Sequence, residues 1–485
     1  MKAPVRRISV LVAILFAALL ISSTLIQFVQ APSISARADN RRTLLDNYSR
    51  ERGSIIVGDQ PVARSLPSPD EQITFLRTYP QGPLYAAVTG YFSYTYGAGG
   101  GLEGSEGELL SGSADELFYR RVTDLLTGRQ QTGASVRLTI NAKAQEAADK
   151  ALGNQRGAVV ALDPKTGAIL AMVSHPQYDP NQLSQHDQAA VIKAWTTINA
   201  DPTRPMVNRA ISGNLYPPGS VFKIVTASAA LEGKVVDEQS QIPAPPVMDL
   251  PQTNVGLPNY DRKPCGPNGA TTLQHALEIS CNTAFGYLGV QLGADALRSQ
   301  AAKFGFGQTL RIPTRVEPST VPAQLSPPQA AQSAIGQYDV RVTPLQVAMV
   351  SAAIANHGVV MRPYLVRDVL GSNLESLETH QAVQLSVAVS DATASTLTRM
   401  LVSVVDNGTG RPAKIDGIAV AGKTGTAQQG NGQAPHAWFT SFAPANDPKV
   451  AVAVVVEDGG NAGSEAAGGL LGGPVAKAVM EAVLK

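Results

Sequence analysis

The sequence predicts an α+β protein, in which one antiparallel sheet flanked by helices follows a small N-terminal α+β domain and a single membrane-crossing helix. Strand-like runs lie early and late in the region after residue 150, with helical runs between them, an order typical of a single sheet covered by helices. A long apolar run also begins close to the N-terminus. The chain has 485 residues, 44% of them hydrophobic, which is enough for two or three domains with a sizeable core.

Composition argues against one broad class of function. The 39 Lys plus Arg residues nearly balance the 38 Asp plus Glu residues, so no charge excess points to nucleic acid or another polyanion as partner. The 44 glycines and 33 prolines indicate an ordered chain that is rich in loops. We therefore predict no nucleic-acid binding.

The first element is the apolar run Ile8–Val29, which is as long as the ~20 residues that a helix needs to cross a bilayer. Lys2, Arg6 and Arg7 precede it, as is typical of the cytoplasmic side of a span. The run therefore predicts a single-pass membrane anchor with the remaining chain outside the cytoplasm. The alternative is a signal peptide cleaved at Ala36-Arg37-Ala38, which would export the same part of the chain.

The region from Ala31 to Lys150 carries no catalytic pattern. A helical apolar stripe through Ala144, Ala148 and Leu152 marks the approach to a second domain. The predicted organisation is therefore a cytoplasmic tail (1–7), a transmembrane anchor (8–29), an N-terminal non-catalytic domain (31–150) and a larger C-terminal domain (151–485).

The larger domain begins with a predicted hairpin. RGAVVALDPKTGAILAMVSHP contains two β-branched, apolar runs around a Pro-Lys-Thr-Gly turn. Its Lys165-Thr166-Gly167 has the same letters as a later motif, but here the glycine closes a turn between strands. We assign it no catalytic role.

The next element carries the strongest chemical signal, Ser220-Val221-Phe222-Lys223 within PPGSVFKIVTA. The spacing places a hydroxyl and an amine one helical turn apart on one face, so that the lysine can take a proton from the serine. An apolar helical pattern follows and stops at Gly233, so Ser220 is predicted at the N-terminus of a buried helix. The positive end of the helix dipole there favours developing negative charge.

Two further motifs follow in order, Ser280-Cys281-Asn282 and Lys423-Thr424-Gly425-Thr426. Ser280 can pass a proton onward, Asn282 can hold a substrate backbone, and Lys423 with the two threonines can bind a carboxylate. Each motif alone is weak, and a turn between two helices is the simpler interpretation of the second. The three in this order are strong evidence for active-site serine chemistry of the penicillin-recognising type.

The third motif raises a question of geometry. On a regular strand the side chains of Lys423 and Thr424 would face opposite sides, so we predict an edge strand loosened by Gly422 and Gly425. The backbone N–H groups of Ser220 and Thr426 could then form an oxyanion hole.

The chain has two cysteines, Cys265 and Cys281, and an exported chain meets an oxidising compartment. A disulfide between them would tie the Ser280 turn to the preceding Pro-rich loop and would stabilise the fold by about 3 kcal/mol on the chain-entropy model. Two buried free thiols are the alternative.

With these residues, the chain resembles the class B penicillin-binding proteins over nearly its whole length. Beyond the three motifs and the anchor, the shared segments are Arg52-Gly53-Ser54-Ile55, LDPKTGAILAMVS, Gly336-Gln337, Thr343-Pro344-Leu345-Gln346 and Trp438-Phe439. The resemblance implies the penicillin-binding transpeptidase fold, with a five-stranded antiparallel sheet and a non-catalytic N-terminal domain of pedestal or dimerisation type.

The resemblance also implies an activity, a D,D-transpeptidase that cross-links peptidoglycan stem peptides and is acylated by β-lactams. Ser220 would be the nucleophile, Lys223 the base, Ser280 and Asn282 the relay and substrate ligand, and 423–426 the carboxylate-binding strand. We predict no cofactor and no metal. The chain shows no glycosyltransferase motif, so a membrane-embedded glycan polymerase and proteins of division or elongation are the expected partners.

Two alternatives remain open from the sequence. A D,D-carboxypeptidase or β-lactamase would pass the acyl group to water and needs a group to activate it; Glu317 is the suggestive carboxylate, but Val321 stands where such enzymes carry an asparagine. A non-catalytic scaffold or β-lactam sensor is the second alternative, against which the intact Ser220, Lys223 and Lys423 argue.

Overall fold

The computed structural model describes residues 2–35, 50–69, 73–117, 126–128, 132–213, 215–430, 432–465 and 467–485. The first helix, α1 (Lys2–Thr24), continues through a π-helical segment, Leu25–Gln30, into α2 (Ala31–Ser35). Residues Pro4–Gln30 are apolar enough to cross a membrane, and none of the most apolar window is buried in the protein. The predicted anchor lies within this helix, whereas the alternative cleavage site, Ala36-Arg37-Ala38, lies outside the described residues.

The N-terminal region combines short strands and helices. Its strands are β1 (Ile55–Val57), β2 (Gln60–Pro67), β3 (Phe75–Thr78), β4 (Tyr91–Ser93), β5 (Gly97–Gly99) and β6 (Ser135–Leu138). Its helices are α3 (Gly82–Thr89), α4 (Gly101–Ser105) and α5 (Gly107–Ser111), followed by the 3-10 turn Asp115–Leu117.

The larger region begins with α6 (Ala142–Leu152). Its strands are β7 (Gly157–Leu162), β8 (Ile169–His175), β9 (Ile242–Pro243), β10 (Val247–Asp249), β11 (Gly256–Pro258), β12 (Ala270–Thr271), β13 (Val359–Met361), β14 (Val366–Leu370), β15 (Ser376–Thr379), β16 (Gln384–Val387), β17 (Ala421–Ala427), β18 (His436–Ala443) and β19 (Val450–Val456). The further helices are α7 (Asn181–Ser184), α8 (Gln188–Ala200), α9 (Lys223–Glu232), α10 (Leu273–Glu278), α11 (Asn282–Lys303), α12 (Pro327–Ala334), α13 (Pro344–Ala355), α14 (Asp391–Asp406) and α15 (Gly468–Leu484), with 3-10 segments at Gly219–Phe222, Pro267–Gly269, Arg411–Ala413 and Glu457–Glu465.

A five-stranded antiparallel sheet forms the centre of the larger region, in the order β17-β18-β19-β7-β8. Alternate residues of β19 enter two separate cores: Ala451 and Val455 pack with α13 on one face, and Val452 and Val454 pack with α15 on the other. The predicted α+β sheet is confirmed, and β17 lies at its edge. The predicted hairpin is also confirmed, and Lys165 in its turn is exposed and pairs with Asp447 at 2.7 Å.

The structure moves the boundary that we placed at residue 150. Helix α6 buries Ala144, Ala148 and Leu152 in the same core as Val479 of α15. Its apolar stripe therefore covers the five-stranded sheet and belongs to the larger region. The division falls before Ala142 and not at the end of this helix.

A second sheet joins the two regions. It has six strands in the order β15-β14-β6-β1-β2-β3, and β14 pairs antiparallel with β6 from Val366↔Leu138 to Leu370↔Ser135. The β14–β15 hairpin thus comes from the larger region but completes the sheet of the N-terminal one. The domain organisation predicted from the sequence could not include this pairing, because β6 and β14 are far apart along the chain.

A buried ion cluster stabilises the N-terminal region. The Glu103 carboxylate accepts from Arg52 Nε at 2.6 Å, from Arg77 Nε at 2.7 Å and from the Tyr79 hydroxyl at 3.1 Å. Burial alone would raise the pKa of Glu103, but the two arginines outweigh it and hold that pKa below its ordinary value. The cluster fixes β3 and the segment that precedes β1 to α4.

Exchanging Glu103 for glutamine should lower the free energy of unfolding by about 3 kcal/mol, because two buried guanidinium groups would lose their counter-charge. Thermal unfolding of the full-length protein in detergent measures this change. Glu108→Gln is the matched control, since Glu108 is exposed. Equal unfolding temperatures for the two variants would contradict a stabilising role for the cluster.

Candidate active site

Ser220 lies in the 3-10 turn Gly219–Phe222 at the start of α9, as the sequence predicts. Gly219 adopts a positive φ of 54° and its N–H donates to the Gly336 carbonyl at 2.9 Å. A Cβ at Gly219 would lie 2.6 Å from the Thr426 carbonyl oxygen, so the turn packs directly on the edge strand β17. Glycine is required at this position because any side chain would push Ser220 away from Thr426.

Buried side chains support the turn from behind. Trp438 is fully buried and its Nε1 donates to the Pro217 carbonyl at 3.0 Å. Tyr216 pairs through its backbone with Val342, and its hydroxyl donates to Glu457 at 2.6 Å. The segment before Ser220 is therefore held by β18 and by the 3-10 segment that follows β19.

Lys223 is fully buried, and its amine faces the second motif. Its Nζ donates to the Ser280 carbonyl at 2.7 Å and to Asn282 Oδ1 at 2.8 Å, and lies 3.3 Å from Ser280 Oγ. Burial, and then the charge of Lys423, lower the pKa of Lys223 well below its ordinary value. A neutral amine has two hydrogens, which the two carbonyl oxygens accept, so its lone pair is left to take a proton.

Within the described residues, no hydrogen bond joins Lys223 Nζ to the Ser220 hydroxyl. Catalytic hydrogen bonds are often long before substrate binds, so this geometry does not remove Lys223 as a base. The role of base stays a prediction.

Ser280 lies between two amines. It follows α10, adopts a positive φ of 60°, and accepts a hydrogen bond from Lys423 Nζ at 2.9 Å. Lys423 is fully buried and also donates to the Thr424 carbonyl at 2.9 Å. Burial lowers the pKa of Lys423 to about 7. Both amines therefore meet at Ser280, and we call the space between Ser280, the Ser220 turn and β17 the cleft.

The strand of the third motif is regular, so the predicted loosening by Gly422 and Gly425 is wrong. β17 pairs with β18 without a register shift from Ala421↔Phe442 to Ala427↔His436. Side chains alternate, and while Lys423 reaches Ser280, Thr424 Oγ1 lies 2.7 Å from Thr409 Oγ1. The structure thus directs Thr424 away from Lys423.

Thr426 is half-buried beside Gly219, which brings its backbone next to the Ser220 turn. Gly425 allows the turn to approach, since a Cβ there would lie 3.1 Å from the Pro218 carbonyl oxygen. The two residues predicted to supply the oxyanion hole are neighbours across this contact.

A disulfide joins Cys265 to Cys281, and both cysteines are buried. It connects the loop after β11 to the Ser280 turn. The backbone N–H of Glu317, the carboxylate residue of the hydrolase alternative, donates to the Ile211 carbonyl at 2.9 Å.

Sequence reasoning missed two residues that contact the motifs. Thr409 meets Thr424, and Asn259 accepts from the backbone N–H of Asn282 at 3.0 Å. Thr409 lies in an Asn-Gly-Thr-Gly turn, which the sequence marks only as a turn. Asn259 follows a proline in a Pro-rich loop, where no spacing identifies it.

The comparisons with known proteins agree with this fold and cleft. The model of the penicillin-binding protein transpeptidase domain matches residues 157–481, and that of the penicillin-binding protein A dimerisation domain matches residues 52–136. The chain belongs to the penicillin-binding proteins that carry a transpeptidase domain.

Particular relatives match it from end to end. The peptidoglycan D,D-transpeptidase PbpA of Mycolicibacterium smegmatis is 44% identical over 100% of this chain and 99% of its own length, and that of Mycobacterium tuberculosis is 43% identical over the same shares. The ceftriaxone acyl-enzyme complex of penicillin-binding protein A from M. tuberculosis superposes with a TM-score of 0.87 at 43% identity, covering 91% of this chain and 100% of that one.

Proposed function

We propose that this protein is a serine-type peptidoglycan D,D-transpeptidase of cell-wall synthesis and a target of β-lactams. The observation that carries the proposal is the cleft itself, in which Lys223 and Lys423, both fully buried, converge on Ser280 beside the Ser220 turn. Relatives named for this activity match the whole chain.

The reaction follows from the positions of these groups. Ser220 attacks the carbonyl between the two terminal D-alanines of a donor stem peptide while Lys223 takes the hydroxyl proton. The oxyanion that forms is bound by the N–H groups of Ser220 and Thr426. The C–N bond then breaks, and Ser280 passes a proton to the leaving D-alanine. The amine of a second stem attacks the ester, which forms the cross-link and frees Ser220.

Lys423 and Thr426 bind the terminal carboxylate of the donor, and Asn282 holds its backbone. The sequence predicts that Thr424 also binds this carboxylate. Its hydroxyl instead contacts Thr409, so Thr424 stabilises β17 on the face opposite Lys423. A β-lactam carries a carboxylate and a reactive amide carbonyl, so it can occupy the same groups and acylate Ser220.

Lys2, Arg6 and Arg7 at the start of the apolar helix favour a cytoplasmic N-terminus, so the cleft lies outside the cytoplasm. The N-terminal region acts as a non-catalytic spacer or dimerisation domain. A membrane-embedded glycan polymerase supplies the strands that the cleft cross-links, in division or in elongation.

The test is intact-mass spectrometry of the full-length protein in detergent with a penicillin, beside Ser220→Ala. A stable adduct that the variant lacks supports a slowly deacylating nucleophile, and a cross-linked product from a stem pentapeptide and an acceptor amine supports transfer. Rapid return to the unmodified mass with drug consumed would favour the hydrolase, and no adduct on either protein would favour the scaffold.

The two buried lysines predict the pH dependence of acylation. Lys223 must be neutral to accept a proton, whereas Lys423 must be charged to bind a carboxylate. Acylation should therefore rise as Lys223 loses its proton and fall as Lys423 loses its own, with the falling limb near the pKa of about 7. Lys423→Arg should remove the falling limb, because a guanidinium stays charged. Acylation rates measured against pH check this, and a falling limb unchanged in that variant would refute the assignment.

A further inference from the structure

Asn259 is a fully hydrogen-bonded side chain next to the second motif, and it belongs to none of the three motifs. Its Oδ1 accepts from the backbone N–H groups of Asn282 and Thr283, each at 3.0 Å. Its Nδ2 donates to the carbonyls of Pro245 at 3.0 Å and Lys263 at 2.8 Å. The residue is 5% exposed, so these four bonds account for both hydrogens and both lone pairs of a buried amide.

These bonds replace a cap that the sequence of α11 does not supply. The helix begins at Asn282, and Cys281 at its N-cap position makes no side-chain hydrogen bond to the first turn. The orphan N–H groups of that turn would otherwise need water or another acceptor. Asn259 provides the acceptor from a distant loop, so it sets where α11 starts.

The start of α11 in turn sets the position of Lys223. Asn282 Oδ1 accepts from Lys223 Nζ at 2.8 Å, while Asn282 Nδ2 donates to the Pro258 carbonyl at 3.1 Å. The residue pair 258–259 therefore holds both the backbone and the side-chain amide of Asn282. The orientation of that amide decides which atom faces the lysine.

We propose that Asn259 is a positioning residue for acylation, which acts through Asn282 on the amine of Lys223. The inference rests on the proposed function, since it assigns Lys223 to the acylation step. Asn259 contacts neither reacting group itself. The Cys265–Cys281 disulfide tethers the same loop independently, so loss of the Asn259 side chain should alter the cap without releasing the loop.

The test compares Asn259→Ala, Asn259→Asp and the control Asn254→Ala, an exposed asparagine of the nearby β10–β11 turn, in the full-length protein in detergent. A fluorescent penicillin gives the non-covalent affinity, the acylation rate constant and its pH dependence. Asn259→Ala should lower the rate constant about 100-fold, the cost of a misplacement of about 1 Å, while Asn254→Ala stays at the wild-type value.

Asn259→Asp keeps an oxygen for the two N–H groups but cannot donate to the loop carbonyls. Its negative charge also favours the protonated form of Lys223, so the rising limb of the acylation profile should move to higher pH. The charge alone moves this limb, so the positioning role is tested by the rate constant at the pH optimum, which should fall in both variants while the non-covalent affinity stays at the wild-type value. If the alanine variant does not fold, the aspartate variant alone decides the matter.

Different outcomes would contradict the transpeptidase activity and the positioning role of Asn259. Wild-type rate constants at the pH optimum in both variants would overturn the positioning role while acylation of Ser220 stands. A wild-type protein that is acylated but forms no cross-link would overturn the transpeptidase and leave the positioning role to the same rate measurements. A wild-type protein that is never acylated would overturn both.

Discussion

Alanine in place of Lys223 is expected to lower the rate of acylation by penicillin about 10³-fold, within the range that a positioned general base contributes. Burial and the charge of Lys423 keep the pKa of Lys223 low, and two carbonyl oxygens orient its amine. Without it, the Ser220 hydroxyl has no described amine to receive its proton except Lys423, which already donates to Ser280. Intact-mass spectrometry over time measures the loss.

The matched control for this variant is Lys193→Ala, because Lys193 is exposed on α8. Both proteins should unfold cooperatively, which separates loss of the base from loss of the fold. An alanine variant that is acylated at the wild-type rate would remove Lys223 as the base and leave Ser280, between the two amines, as the next group to test.

Gly336→Ala is expected to reduce acylation about 100-fold although the residue belongs to none of the three motifs. A Cβ at Gly336 would lie 2.0 Å from the Gly219 carbonyl oxygen, and Gly336 has a positive φ of 74°. The Gly219 turn must then shift, and Ser220 with its N–H shifts with it. A displacement of about 1 Å at a reacting group costs a rate of that order.

Gly417→Ala separates the clash from backbone strain. Gly417 has a φ of 75°, nearly the same as Gly336, but a Cβ there meets no atom within 4 Å. The control should share the conformational cost of about 1–2 kcal/mol and keep its acylation rate. Equal acylation rates for the two variants would show that contact with the Ser220 turn is not critical.

The chemistry of the cleft could be predicted because its motifs are local. Ser220 and Lys223 are one turn apart, and Ser280 and Asn282 flank one residue, so short-range spacing constrains their relative positions. The strands of the five-stranded sheet could also be predicted, since a strand such as Val450–Val456 is a continuous apolar run between turns.

What the sequence did not predict depends on contacts between distant segments. Asn259 reaches Asn282 because β10 and β11 fold back over α11, and Thr409 reaches Thr424 because α14 ends beside β17. Single asparagine and threonine residues in loops carry no periodicity that would point to such partners. Our prediction of a loosened β17 was wrong for a related reason. It assumed that Lys423 and Thr424 both point into the cleft, whereas Thr424 contacts Thr409 on the opposite face of the strand.

The insertion of the β14–β15 hairpin into the N-terminal sheet has a mechanical consequence. Since β14 pairs with β6 through backbone hydrogen bonds, the larger region cannot swing against the N-terminal region without breaking that ladder. A pull applied to the cleft by a growing glycan network would pass through β14 as shear along several bonds loaded together. The two regions are thereby coupled mechanically, so a force on one is transmitted to the other through the β6–β14 ladder.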